Sequence, residues 1–244
     1  MKFYSFAALN NDEMKKFFVA LAILSTTSFF AQSSQELKSH FERYYQEMKK
    51  QGDVNGVINA LTHLNVVDPS QARRDTLAYV YMNGNQHLQA LNTIGIEKNE
   101  GDSNLAVQVK AISLKALNQP KRAIEQFQVL YDRLPDPYIA YEMADLKIQV
   151  GDITGAEKDI TYGIANSTLN MKHAFYERQQ PYEVPLKAAF YHLQGLLIFN
   201  KDKTKVDEAI AMMDKALELD SNFNLASLSK QALAKRKTEG TSFQ

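Results

Sequence analysis

No cysteine occurs anywhere in the 244 residues. That absence excludes disulfides, thiolate metal sites and a lipidated N-terminal cysteine. Charge of a dominant sign is missing as well. With 28 basic residues against 28 acidic ones, nothing draws the chain toward nucleic acid or an anionic membrane. There is no Gly-rich phosphate loop, no Gly-x-Ser-x-Gly elbow and no His-Glu-x-x-His helix. The five histidines, His40, His63, His87, His173 and His192, have no partner histidine three or four residues away, so each reads as a surface or internally satisfied residue rather than a ligand. Glu47, Glu142 and Asp145 could be drawn as an acid–base set, but no spacing supports it. The expectation is no catalytic residue, no metal and no cofactor.

The N-terminal stretch is unlike the rest. Met14-Lys15-Lys16, then Phe17–Leu24 and a polar run ending at Ala31, has the three parts of a secretory signal peptide. Cleavage after Ala31 would leave Gln32 first, and Met14 reads as the initiator, because Asp12 and Glu13 would otherwise crowd the positive end. The alternatives are a buried helix or a retained anchor, although the apolar core is shorter than the ~20 residues a span needs. Residues 1–31 hold three lysines and two acids, so the mature chain carries a net charge near −1. An exported chain without cysteine holds together by packing alone.

From residue 32 onward one pattern repeats. In Asn104–Pro135, Val107, Ala111 and Leu114 form one apolar stripe and Ala123, Phe127 and Leu130 another, separated by Asn118-Gln119-Pro120. Two short amphipathic helices joined by a tight turn are predicted. The small residue early in the second helix recurs at Val57, Ala90, Ala123 and Ala156, in steps of 33, and at Ala209 after a step of 53. A single hairpin of this size cannot bury both stripes, so neighbours of its own kind must cover them. The matching position of the first helix reads Tyr45, Ala78, Ala111, Ala144 and Gly195. The extra 20 residues fall at about 168–184, where LNMKHAFYERQQ is expected to form a short helix presenting Met171, Phe175 and Arg178. Pro181 and Pro185 then force extended backbone. That insertion reads either as a connector packed over the seam or as a lid.

Leu77-Ala78-x-x-Tyr81 with Ala90, the Asn104–Pro135 unit, Gly151-Asp152 with Ala156, and Gly195 with Ala209 and Ala216 together resemble the tetratricopeptide repeat family over residues 36–237. The resemblance implies an all-α fold, a right-handed α-solenoid of about five helix–turn–helix repeats plus a C-terminal capping helix and no strand. Residues 1–31 are then extension and signal, 32–237 the solenoid, and 238–244 a disordered tail. Tyr45, Arg74, Glu97 and Gly163 depart from the family pattern. The expectation is a loosely packed first repeat and weaker cores in the second and fourth. In the last helix, Leu225, Leu228 and Ala232 are expected to face inward.

In this family the first helix of each repeat lines a concave groove. The resemblance assigns that face to Glu42, Gln46 and Lys49; to Asp75, Tyr79 and Asn83; to Gln108 and Lys115; to Tyr138, Tyr141, Asp145 and Gln149; and to His192. Tyrosine, amide and charge in one row suit an extended peptide, whereas the same row left bare is only a solvated face. A clamp for free carboxylate tails is not implied, since Glu42, Gln46 and Gln108 lack its lysine and asparagine. The function expected is an exported, periplasmic scaffold or adaptor that binds a protein or peptide, with no nucleic acid and, after signal cleavage, no membrane as partner. The alternative is a structural subunit of an envelope complex docked through the first repeat or the insertion.

Overall fold

The computed structural model describes residues 34–241; the signal-like stretch, and the cleavage read into it, lie outside them. Eleven helices occur among the described residues: α1 (34–51), α2 (Val54–Val67), α3 (Gln71–Asn83), α4 (His87–Ile94), α5 (Asn104–Ala116), α6 (Pro120–Arg133), α7 (Pro137–Val150), α8 (Ile153–Asn166), α9 (Leu186–Lys201), α10 (Val206–Leu219) and α11 (Asn224–Thr241). They make five pairs and a terminal helix, as the 33-residue phase requires. None is long and apolar enough to cross a membrane. The last helix continues past Lys237 to Thr241, beyond the end expected for it.

Four of the turns share one backbone feature. Gly52, Asn85, Asn118 and Gly151 all have positive φ, between 56° and 81°, and they stand 33 residues apart. Glycine and asparagine reach this left-handed backbone at least cost, so α1, α3, α5 and α7 stop at the same place in their repeats, whereas α9 ends in extended backbone at Asp202. Asp53 and Asp152 then cap the following helices by accepting from the Gly56 and Gly155 amides, both at 2.9 Å. Ser103 and Asp136 cap α5 and α7 in the same manner. Pro120 and Pro137 sit in first turns, where no N–H is lost.

Two compact units divide between Tyr81 and Met82. In the first, Val57, Leu61 and Leu77 form the core, with Tyr45 and Met48 packed against it. Phe41 stacks on His63 at 4.4 Å. In the second, helices stack in sequence order, α4 on α5 through to α10 on α11, the nearest-neighbour packing of a solenoid. Ala111, Leu114, Ala123 and Phe127 fill one part of its seam; Ala144, Ile160, Phe190, Leu193 and Met213 fill another.

The insertion corrects the sequence reading. It is not a helix but a two-stranded antiparallel hairpin, β1 (Lys172–Phe175) and β2 (Tyr182–Pro185), and so the expectation of no strand also fails. Helical spacing was the wrong period for HAFY. Phe175 is buried among Tyr182, His173 and Phe223, with centroids at 5.7, 4.8 and 5.0 Å, while Ala174 and Tyr176 alternate to the other face. The fourth repeat is not weakly packed either. The Phe190 ring lies against Gly163 and fills the space a larger side chain would take. Glu97 falls outside α4 altogether, and it accepts from Arg122 at 2.6 Å. In α11 Leu225 packs against the core as expected and Ala226 and Leu233 are buried, with Phe223 just ahead of the helix, whereas Leu228 and Ala232 are exposed.

Two ion pairs are buried in the second unit. Lys110 Nζ meets Asp102 at 2.5 Å and donates to the Glu97 carbonyl at 2.7 Å. Lys147 Nζ on α7 meets Asp159 on α8 at 2.7 Å.

Candidate functional site

The first helices α5 and α7 and the hairpin enclose an open cleft of about 810 Å³ in the second unit. Its floor is apolar, made by Ile112 and Ala116 of α5, Phe127 and Leu130 of α6, and Ile139 of α7. Ile112, Ala116 and Ile139 flank the buried stripes of α5 and α7, while Phe127 and Leu130 belong to the stripe of α6 and reach the cleft from below. Gln108, Asn104, Asn85 and His87 border one end. Lys115 and Glu142 cross the middle as an ion pair between neighbouring repeats. Tyr138, 41% exposed, closes the far side with His173 and Tyr176 of the hairpin, the latter 74% exposed.

The hairpin is fixed from both sides. Tyr138 Oη accepts a hydrogen bond from the Lys172 amide at 3.3 Å, tying α7 to β1. Behind the strand, Tyr141 lies 4.2 Å from the His173 ring and 5.4 Å from Phe190. Burial pushes the Tyr141 hydroxyl well above its ordinary value and lowers the His173 imidazole, so His173 is neutral near pH 7. Burial also raises the Asp145 carboxyl, against the opposing pull of Lys115. Because Lys115 and Glu142 neutralise each other, the cleft presents no net formal charge.

Of the residues expected on the groove, Gln108, Lys115 and Tyr138 do converge on this cleft. Glu42 and Gln46 line a separate hollow in the first unit, with Tyr45 and Arg73. Lys49, Tyr79, Asn83 and Gln149 are exposed, and Gln149 donates to the half-buried Asp145 at 2.9 Å. Three expectations of groove exposure are corrected. Tyr141 is 5% exposed, because the hairpin and Phe190 cover it. His192 is 6% exposed, since Phe223 and Ser229 of the terminal segment close over it, with Ser229 Oγ 3.0 Å from Nε2. Asp75 is 3% exposed and accepts from Gln71 at 2.8 Å.

Sequence reasoning missed His173 and Tyr176, and it passed over Glu142. The alternation of HAFY between Leu169 and Pro181, a period of two rather than 3.6, was the signal for the first pair. Glu142 lies one turn beyond Tyr138, which was the cue for the last. Among the described residues no cluster of three His, Asp or Glu is placed to hold a metal ion.

No family model matches the sequence, and no curated protein sequence matches it either. Solved structures do. The MamA protein is similar at TM-score 0.59 and 17% identity, covering 77% of this chain and 93% of its own. YrrB, described as a TPR protein with an unusual peptide-binding site, is similar at TM-score 0.63 and 14% identity, covering 83% of this chain and 97% of its own.

Proposed function

This chain has the tetratricopeptide-repeat fold, and we propose that it is a non-catalytic interaction module that captures a peptide segment of a protein partner in the cleft between α5, α7 and the hairpin. The observation that carries this reading is the cleft itself: an apolar floor wide enough for several side chains, rimmed by tyrosine and amide groups. Tyrosine offers large contact area and a hydrogen-bonding tip at small entropy cost. YrrB, of the same fold, has a peptide-binding site, which favours this class of function over an enzyme.

The alternative of permanent docking through the first repeat calls for a large exposed apolar patch around Phe41, Tyr44 and Tyr45. All three are half-buried, which favours capture. Export through Met14–Ala31 belongs to the same proposal and is supported by the signal-like order of that stretch. N-terminal sequencing from the native host is expected to begin near Gln32, and an intact Phe17–Leu24 on cytoplasmic protein would refute export.

The binding test is selection of heptapeptides from a random displayed library, followed by fluorescence polarisation. Tyr138→Ala is expected to weaken the selected peptide by ~1–3 kcal/mol, roughly 5- to 150-fold. A library yielding no peptide tighter than about 1 mM overturns the reading.

A further inference from the structure

We propose that the captured segment enters as an uncharged, extended strand that pairs with the free edge of β1, making the hairpin a three-stranded sheet. This inference rests on the capture reading and specifies the conformation and chemistry of what is captured.

The register establishes which backbone groups are free. His173 faces Val184 and Phe175 faces Tyr182, with Lys172 opposite Pro185 and Ala174 opposite Glu183. The Leu186 amide donates to the Met171 carbonyl at 2.8 Å, on the same diagonal. Antiparallel ladders alternate bonded and non-bonded pairs, so His173 and Phe175 bond β2, whereas Lys172 and Ala174 turn their N–H and C=O groups the other way. The Lys172 amide confirms this phase, because it donates to Tyr138 Oη and not to the neighbouring strand. Among the described residues the sheet has two strands, and nothing pairs with the second edge of β1.

That edge borders the cleft. Tyr138, which touches it, and His173 and Tyr176, which flank it in sequence, all line the cleft wall. An extended segment lying there would give its amides to the Ala174 and Lys172 carbonyls and accept from the Ala174 amide. Its alternate side chains would reach the floor at Ile112 and Ile139, the division of labour typical of added strands. Charge sets the composition. Lys115 and Glu142 satisfy each other and burial keeps His173 neutral, so a charged side chain on the floor would lose water without gaining a counter-charge. An edge with open hydrogen-bonding groups beside an apolar floor is complementary to a neutral strand.

The test uses the heptapeptide selected against the unaltered chain, acetylated and amidated, resynthesised with N-methyl groups on alternate residues in each of the two phases. One phase is expected to weaken binding by about tenfold or more, the other by less than about twofold, because only one set of amides faces β1. Ala174→Pro, which removes an outward amide but no β1–β2 bond, is expected to match the sensitive phase. Should that variant unfold, the methylated pair read on the unaltered chain still decides. Equal effects of the two phases overturn strand pairing while leaving capture intact, and failure of the unmethylated peptide to bind overturns both. If selection returns peptides whose affinity depends on a lysine or an aspartate, the neutral-strand assignment falls.

Discussion

Gln108 and Tyr141 stand 33 residues apart, at the same place in consecutive repeats, yet Gln108 lies open on the cleft and Tyr141 is buried. The difference is not in their own helices, whose stripes are in phase. It comes from what lies above them. Over α5 there is only the cleft, whereas the hairpin and Phe190 close over α7. Repeat arithmetic therefore tells which side chains share a face, and a neighbour inserted from elsewhere in the chain decides whether that face is wet. Leu130 and Gly163 give the same lesson, being equivalent positions: the second is bare because the Phe190 ring occupies its volume.

The sharpest way to break this comparison is to truncate both residues. Tyr141→Ala is expected to cost ~3–5 kcal/mol in urea unfolding, the range for a buried aromatic. Equal stability of the variant and the parent would mean that the hairpin does not cover α7. Next comes His192, at the same repeat position under α11. Burial holds its imidazole down at about 4, against 6.5 for the free side chain. Between those values the unfolded chain takes up a proton that the folded chain refuses, so the stability present above pH 6.5 is lost as pH falls toward 4. His192→Gln is expected to remove roughly 3 kcal/mol of that acid dependence, measured as unfolding free energy at the two ends of the range; parallel profiles would contradict it. Two overpacking changes follow. Gly163→Ala would press a methyl group into the Phe190 ring, and Ala123→Leu would wedge apart α5 and α6. Each is expected to cost ~1–3 kcal/mol, while Lys121→Leu on the exposed face of α6 stays near zero. The smallest effect is Gln108→Ala, within ~0.5 kcal/mol by thermal unfolding; a larger loss would make Gln108 part of the core.

The pairs, their order and their turns were legible because each is written locally. A stripe at helical spacing marks every unit, a glycine or asparagine takes the left-handed residue in the first four, and Asp53, Ser103, Asp136 and Asp152 cap helices in the first, third and fourth. Gln108, Lys115 and Tyr138 of the cleft were legible for the same reason, since they follow from helix register. What could not be read is what depends on contact across the insertion. HAFY is compatible with either period until Phe175 finds Phe223, and Tyr141 is a plausible groove residue until His173 lies on it. The terminal helix shows a subtler version. Leu228 is the more apolar residue, but Ala226 faces inward, because a small side chain lets the helix approach closely enough for Ser229 to reach His192.

The buried pair Lys147–Asp159 has a consequence for how such a chain avoids assembling wrongly. Repeats resemble one another, so a helix has several near-equivalent places to dock, and misassembly is a standing hazard of such arrays. At the positions equivalent to Lys147 the third and fifth repeats carry Leu114 and Ile198, and at those equivalent to Asp159 they carry Gln126 and Met212. Docked on either wrong neighbour, α7 would bury an ammonium group without its carboxylate, a penalty of ~3–5 kcal/mol. One lysine and one aspartate thus act as a lock and key that distinguish the fourth repeat from its look-alikes while the chain is still sorting its partners.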